Sequence, residues 1–435
     1  MIIEFLILNI VYIIRIVKNL TEIFVDCVPE KNLNRHIMKK INYFLGCIIT
    51  AGFLLASCEG PAGPAGADGS DGTDGKDANE TCKLCHNSSV VLAKSFEYEY
   101  SKHYTGEAFE EGTRNNCAAC HSHQGFLDVI TKNTPATITA NPSDPTKFIN
   151  NYVASASALS FPGPINCFTC HSSLHKNYAA TDFMPLSTTA SVPMTMWGGT
   201  KSINFTKISG NLCAKCHQPR PVTASSGALI DYSKLVSEPS TVYNLSSVSY
   251  RTGVHYGTHA AMAAGVGGIE FGTGYTNSQH ATKASCNSCH MASPSGLAGG
   301  HSFNSAGNYN GCNTTNCHSG MSATNTTLTD AQNYVTSKLE ELAAKINAIG
   351  GGHDILQKDP EDDQYHGYFD IYDSGSNPDG YWKNPDFGTP AFPALTNAQF
   401  GAILNYQLIF RDASKGVHNY PYIRKLLDNT LTALN

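Results

Sequence analysis

The chain has 435 residues, a hydrophobic fraction of 41% and a net charge of −6. This length allows two or three domains and this composition allows a buried core, but the charge gives none of the basic character expected of a protein that binds nucleic acid. The 15 cysteines are more informative. Twelve fall into six pairs, and the other three, Cys27, Cys47 and Cys58, precede the first pair.

The start of the chain contains an internal export signal. Residues 1–37 begin with an apolar stretch, but Glu4 interrupts it and Arg15 ends it, short of the ~18 apolar residues that a membrane-spanning helix needs. Residues 38–57 combine two lysines with an apolar segment, as a secretory signal does. We therefore expect translation to start at Met38, and residues 1–37 to be a misannotated upstream extension.

The signal ends at Cys58, directly after a leucine and two small residues. This arrangement resembles a bacterial lipobox, in which the cysteine is lipidated and becomes the mature N-terminus; the alternative is an ordinary cleaved signal. Residues 58–78 follow as a spacer in which glycine recurs at every third position from Gly60 to Gly75. The repeat is collagen-like, but its low proline content favours an extended spacer over a triple helix of three chains.

Residues 79–320 carry six cysteine pairs, each followed directly by a histidine. Five have the spacing C-x-x-C-H, which chance would produce only about 0.02 times in such a chain, and the sixth is longer by two residues. Two such thiols bind the vinyl groups of one haem and the histidine ligates its iron. The sequence therefore predicts six haem c groups. They would be held by Cys82, Cys85 and His86; Cys117, Cys120 and His121; Cys167, Cys170 and His171; Cys213, Cys216 and His217; Cys286, Cys289 and His290; Cys312, Cys317 and His318.

Zinc and disulfide exchange are the competing interpretations of these cysteine pairs. A structural zinc site would combine the pairs in twos, and it would not require a histidine after every second cysteine. A disulfide-exchange motif would need a thioredoxin-like βαβ pattern, which this sequence lacks. The haem interpretation is therefore favoured for all six motifs.

Each haem iron has a second axial position, and the sequence offers more histidines than it needs. Seven candidates rank highest by their local context: His103, His175, His255, His259, His280, His301 and His418. His255 and His259 share one short segment, so only one of the two is expected to ligate. His123, His353 and His366 rank lower. Iron with two histidine ligands suits electron transfer better than substrate binding, but a single open haem would change the function.

Residues 321–435 read as a C-terminal helical segment that supplies a distal ligand. Apolar periodicity and glycine stops predict helices over residues 329–349, 398–411 and 421–434. Between the first two helices lies an acidic, aromatic stretch whose Asp370, Asp373 and Asp379 could offer oxygen atoms to calcium. Since it lacks the 12-residue loop with a terminal glutamate, a solvated loop is favoured.

Part of the chain resembles a known family. The run from His255 through the fifth motif to His301, and the segment 412–419, resemble multihaem cytochromes related to cytochrome c nitrite reductase and octahaem hydroxylamine oxidoreductase. The likeness covers about the last 180 residues. It implies His301 and His418 as distal ligands. It does not extend to catalysis, because the C-x-x-C-K motif of nitrite reductase and any signature of the tyrosine-linked haem of hydroxylamine oxidoreductase are missing.

We therefore expect a mainly α fold with extensive irregular loops and little β structure, organised around packed haems. The expected function is electron transfer in a membrane-tethered, extracytoplasmic cytochrome that exchanges electrons with redox partner proteins. One alternative is a multihaem reductase of a small nitrogen or sulfur oxyanion at one open haem. Another is a subunit of a haem filament, for which the Gly-X-Y segment leaves assembly open.

The expected location follows from where haem is attached. Attachment to C-x-x-C-H thiols takes place after export, and the signal from Met38 provides that export. Glu59, which follows the lipidation site, is not the aspartate usual for retention in the inner membrane. We expect an outer-membrane lipoprotein that faces outward, with a periplasmic protein as the alternative.

The firmest prediction from the sequence is the haem load. The mass of the mature protein should exceed that of its polypeptide by six haems, and the pyridine haemochrome assay should agree. A Cys312→Ala/Cys317→Ala variant should lose one haem, because both thioether bonds of the stretched motif are removed. A wild-type load of five, unchanged in this variant, would show that the stretched motif is empty.

Overall fold

The computed structural model describes twelve stretches of the chain, all within the unit formed by residues 77–435. They are residues 87–113, 117–131, 138–141, 144–150, 161–171, 186–220, 222, 230–243, 248–315, 317–359, 365–388 and 390–435. The expected signal, the lipidation site at Cys58, the spacer, the first haem motif and His175 lie outside the described residues.

Short helices separated by loops make up the first two thirds of the described chain. They are α1 (Ser88–Glu99), α2 (Lys102–Thr105), α3 (Ala118–His121), α4 (His123–Thr131), α5 (Cys167–Cys170), α6 (Gly210–Ala214), α7 (Tyr232–Ser237), α8 (His259–Ala264), α9 (His280–Lys283) and α10 (Cys286–His290). Three-residue to six-residue 3₁₀ helices span Ala108–Thr113, Gly300–Ser302 and Pro385–Phe387.

Three longer helices close the chain: α11 (Thr326–Ala348), α12 (Asn397–Asp412) and α13 (Tyr420–Ala433). They confirm the three helices predicted from periodicity, to within three residues at each end. The side chains of Asn325 and Thr396 cap the first two helices, and a proline in the first turn begins the third.

Strands are few and short in the described part of the chain. They form antiparallel two-stranded sheets: β1 (Ile138–Asn141) with β2 (Asp144–Asn150), β3 (Val192–Pro193) with β4 (Ser202–Ile203), β5 (Val242–Tyr243) with β8 (Leu395–Thr396), and β6 (Leu356–Lys358) with β7 (Tyr365–Phe369). The prediction of a mainly helical fold with long loops and little β structure is confirmed.

The apolar core surrounds helix α12. Most of its residues are buried, and its neighbours are α7, α8, α11 and α13. The buried cluster that contains it begins only at Val192. Within the described residues before that point, Ala118, Ala119 and Phe126 are the buried apolar side chains. The core is therefore built by the C-terminal half, and the early motifs have little apolar protein around them.

Polar side chains on helix α12 fix the segment that carries two of the candidate histidines. The Gln407 amide accepts a hydrogen bond from the backbone N–H of Val254 at 2.8 Å and donates to Gly367. The Thr258 hydroxyl donates to the carbonyl of Leu408 at 2.8 Å. Because buried polar groups are costly when unpaired, these bonds hold His255 and His259 against the core helix.

Two carboxylates of the acidic loop accept hydrogen bonds from the backbone. One carboxylate oxygen of Asp373 accepts hydrogen bonds from the backbone N–H groups of Gly375 and Ser376. Asp370 accepts from the backbone of Tyr381. Among the described residues no group of three or more histidine, cysteine or acidic side chains is arranged to hold a metal ion by itself.

Replacing Leu404 by alanine should destabilise the core. Leu404 is fully buried on α12, and removing a buried leucine side chain costs about 2–5 kcal/mol. Thermal unfolding followed by far-ultraviolet circular dichroism, at equal cofactor content, would measure the loss. Val242→Ala is the control, since Val242 is 62% exposed and its truncation should change stability by less than about 0.5 kcal/mol. Equal effects of the two changes would contradict a core centred on α12.

Candidate haem sites

Two of the cysteine motifs form single helical turns: Cys167–Cys170 is α5 and Cys286–His290 is α10. In α5 the side chain of Asn166 and that of Thr169 bond reciprocally to each other's backbone N–H. Ser285 and Ser288 do the same in α10. These capping boxes place both cysteines of a motif on one turn.

Each described motif histidine has its ring centre within 6.4 Å of that of a histidine from elsewhere in the chain, and His217 also has His259 at 5.2 Å. The distances between ring centres are 6.0 Å for His103 and His217, 6.2 Å for His121 and His255, 6.4 Å for His171 and His301, 5.9 Å for His280 and His318, and 6.2 Å for His290 and His418. We call these the five histidine pairs.

This spacing is the one that a shared metal requires. A histidine nitrogen lies about 2 Å from a metal that it binds, and the ring centre about 1 Å further away, so two imidazoles on opposite sides of one metal have ring centres about 6 Å apart. Stacked rings are closer, as His353 and Tyr381 are at 3.6 Å, whereas edge-to-face rings have centres about 4.5–7 Å apart. The five pairs therefore have the spacing that an iron shared by two imidazoles would set.

Backbone carbonyls orient several of these rings. The Nδ1–H of His121 donates to the carbonyl of Ala108 at 2.9 Å, and that of His290 donates to the carbonyl of Phe303 at 2.8 Å. His255 donates to Tyr256 at 2.6 Å. A histidine whose Nδ1 carries the proton and is bonded in this way presents its Nε2 lone pair to a metal.

The loop between α12 and α13 supplies one ligand candidate and orients another. The Nδ1 of His418 donates to a carboxylate oxygen of Asp412 at 2.7 Å, and the Nδ1 of His280 donates to the carbonyl of Val417 at 3.1 Å. Asn419 accepts from the backbone of Ser278 at 2.9 Å. One loop therefore positions histidines of two different pairs.

Burial lowers the pKa of five of these imidazoles and so favours the neutral form, which is the form that binds a metal. It lowers the pKa of His217 to about 3, with further lowering by the neighbouring histidines. It lowers the pKa of His255 to about 4, helped by Arg220 and Arg411. It also lowers the pKa of His103, His290 and His301. His418 differs: burial lowers its pKa, but the Asp412 carboxylate more than offsets this and the net shift is upward.

His259 occupies a different position from the other candidates. Its Nδ1 lies 3.4 Å from the Nδ1 of His217. An iron bound to His217 through Nε2 would leave this Nδ1 free for the hydrogen bond. The ring centre of His259 is 6.2 Å from that of His418. His259 therefore lies between two pairs and hydrogen-bonds a motif histidine.

The lower-ranked histidines have other contacts. His123 bonds to the Thr169 hydroxyl at 2.8 Å, His353 stacks on Tyr381, and His366 lies 3.0 Å from a carboxylate oxygen of Asp359.

The motifs lie against one another in a connected arrangement. The second and fourth motifs contact each other reciprocally: the Cys120 sulfur lies 3.8 Å from the carbonyl of Lys215, and the Cys216 sulfur 3.9 Å from that of Ala119. The fourth and fifth motifs meet where the thiols of Cys213 and Cys286 are hydrogen-bonded.

The third and sixth motifs extend this arrangement. The third motif lies near the fourth, and Cys213 of the fourth adds to the burial that raises the pKa of the Cys170 thiol. The sixth motif lies near the fifth, and Cys312 adds to the burial that raises the pKa of the Cys289 thiol. The second, third and fifth motifs therefore all lie next to the fourth motif.

Several residues that shape these sites were missed by the sequence analysis. Phe303 is one: its carbonyl orients His290, its ring centre lies 5.1 Å from that of His103 and 6.0 Å from that of His301, and its φ of 55° is unusual for a bulky residue. Glu97 is another, because it accepts from the backbone N–H of His301 at 2.8 Å. Neither position carries a motif; only the capping boxes had a local sequence signal.

Comparisons with known proteins are sparse. No protein-family model and no curated protein matches this chain. Among solved structures, the crystal structure of the outer cell wall cytochrome OcwA is similar, with a TM-score of 0.38 and 19% sequence identity, over 79% of this chain and 50% of that one. The chain thus spans about half the length of the cytochrome it matches.

Proposed function

We propose that this chain is a multihaem c-type cytochrome that transfers electrons through six covalently attached haems. The observation that carries the proposal is the set of five histidine pairs. The ring centre of every described motif histidine lies between 5.9 and 6.4 Å from that of a second histidine, as expected for two ligands of one metal. The first motif, Cys82, Cys85 and His86, enters the proposal from its sequence alone.

In this proposal each motif holds one haem by its two thiols and its histidine, and a histidine from another segment completes the iron. The second ligands are His255 for the second motif, His301 for the third, His103 for the fourth, His418 for the fifth and His280 for the sixth. His259 is assigned to positioning His217 rather than to ligation. The haem supplies one-electron chemistry, and the protein supplies ligands, burial and charge.

A buried arginine also fits the cofactor. Arg411 is 5% exposed, and its Nε has no hydrogen-bond partner among the described residues. An unpaired buried donor is costly. Haem carries two propionate carboxylates, and a guanidinium is the group best shaped to bind a carboxylate. Arg411 lies beside Tyr256, next to His255, so the haem of the second motif is the one it would serve.

Electron transfer is favoured over reduction of an oxyanion. Substrate chemistry at a haem needs an iron with one free axial position. None of the five described motif histidines lacks a facing histidine. The contacts between successive motifs also suit a carrier, because electron tunnelling weakens steeply with distance. A filament subunit would use the same haem chain, and no described residue favours it.

The proposed location rests on the sequence. The signal from Met38, the lipobox cysteine Cys58 and the glycine-rich spacer support an outer-membrane lipoprotein whose haem-bearing part stands clear of the lipid. None of the described helices combines the length and apolar character needed to cross a bilayer. The proposed partners are a membrane-side electron donor or acceptor and an external one.

Replacing His103 by alanine should convert one haem from low-spin to high-spin. The fourth-motif iron would lose its second ligand while keeping His217 and both thioether bonds. Electron paramagnetic resonance of the oxidised protein, with haem content measured in parallel, reports the change, and added imidazole should reverse it.

Two matched variants control this experiment. His259→Ala and His353→Ala also remove a ring, but neither is assigned as a ligand, so neither should change the spin state of any haem. A high-spin signal in His259→Ala and none in His103→Ala would show that the assignment of these two residues is reversed. High-spin signal in the wild-type protein that responds to nitrite or hydroxylamine would favour the reductase.

The location is tested by protease treatment of intact cells. Cleavage within residues 60–80 should release a red, soluble haem protein, because glycine-rich polar segments of this kind are preferred sites of proteolysis. Lysed cells provide the control for protease access. Complete protection in intact cells, together with fractionation into the inner membrane, would contradict a surface-exposed outer-membrane lipoprotein.

A further inference from the structure

The C-terminal end of helix α12 carries two adjacent buried residues of opposite charge, Arg411 and Asp412. They are 5% and 1% exposed, and charged side chains are rarely buried to this extent unless they are paired. They do not pair with each other. Each extends toward a different histidine pair.

Asp412 acts on the pair His290 and His418. One of its carboxylate oxygens accepts the Nδ1 hydrogen bond of His418 at 2.7 Å, and the other accepts from the Ser414 hydroxyl. A buried carboxylate bonded to Nδ1 makes the imidazole a stronger electron donor to a metal. It also adds negative charge nearby, so it stabilises the ferric over the ferrous state.

Arg411 acts on the pair His121 and His255. Its guanidinium lies over the rings of Tyr256, at 4.6 Å, and Tyr368, at 5.0 Å, and it donates to the carbonyl of Gly367 at 3.2 Å. No described acidic side chain forms an ion pair with it. Positive charge close to a haem stabilises the ferrous state, which carries one positive charge fewer at the iron.

Arg220 reinforces this effect. Its charge opposes protonation of the His255 ring, as the charge of Arg411 does. The surroundings of His255 are therefore positive, whereas the Nδ1 side of His418 faces a carboxylate.

We propose that Arg411 and Asp412 create a step in reduction potential between the haem at His290 and His418, which is lower, and the haem at His121 and His255, which is higher. This rests on the proposed function. One electron leaves the ferrous iron of the fifth motif, which becomes ferric, and reduces the ferric iron of the second motif.

The fourth motif provides the route between these two. Its Cys213 contacts Cys286 of the fifth motif, and its Cys216 contacts Ala119 beside Cys120 of the second. The haem between His103 and His217 therefore relays the electron, and neither its oxidation state nor any bond changes over the complete transfer.

The experiment is a potentiometric titration of the intact haem-loaded protein, followed by visible absorption and electron paramagnetic resonance. Asp412→Asn removes the charge but keeps an oxygen that accepts from His418, so the midpoint of one haem should rise. Arg411→Gln should lower the midpoint of a different haem. Arg411→Lys keeps the charge and should restore a midpoint close to that of the wild type.

Surface variants match these charge changes. Arg424 and Asp428 form an exposed ion pair on α13, and Arg424→Gln and Asp428→Asn should leave every midpoint unchanged. Arg220→Gln covers the case in which Arg411→Gln fails to fold. Arg220 is exposed, so its loss spares the core, and it should lower the midpoint of the same haem that Arg411→Gln lowers.

The outcomes separate this proposal from the proposed function. Suppose that the haems load and are low-spin. If Asp412→Asn and Arg411→Gln then shift midpoint potentials in the same direction, shift the midpoint of the same haem or shift none, the potential step is refuted. The proposed cytochrome function is unaffected by that result. If the wild-type protein binds no haem, the proposed function itself fails.

Discussion

The constraint on which the rest of the structure depends is the facing of two imidazoles that come from distant parts of one chain. The separation of about 6 Å matches two imidazoles on opposite sides of one metal. The backbone must hold both in place. Most of the described hydrogen bonds to these rings serve that purpose: a carbonyl or carboxylate accepts from Nδ1 and leaves Nε2 available to a metal.

Helix α12 provides the rigid body against which this arrangement is built. Its buried amide Gln407 fixes the backbone just before His255, its last residue Asp412 orients His418, and the loop that follows orients His280. Burying so many polar groups is tolerated because nearly all are hydrogen-bonded. The exception, the Nε of Arg411, lies beside a histidine pair. The helix thus combines a packing role with an electrostatic one.

Much of this was accessible from the sequence, and the rest was not for identifiable reasons. The three C-terminal helices were predicted because their apolar periodicity and stop signals are local. The motifs were recognisable because thioether chemistry dictates their spacing. The pairing of histidines was not, since it depends on tertiary structure: His280 precedes the fifth motif in sequence but faces His318 of the sixth. Backbone acceptors such as Ala108, Val417 and Phe303 have no side-chain signature at all. The assignment of these histidines as ligands remains a prediction.

The sequence positions within the histidine pairs have a consequence for biogenesis. A chain exported from its N-terminus presents His103 before His217, and His280 before His318, so the proposed second ligand would already be present when these two motifs emerge. His121, His171 and His290 emerge before their partners His255, His301 and His418. Their haems would be attached while the second face of the iron is still open to solvent or to the maturation machinery. Because His418 lies on the loop that also fixes His280, that loop would complete more than one site as it emerges, and a chain truncated before it would lack the proposed second ligand of the fifth motif.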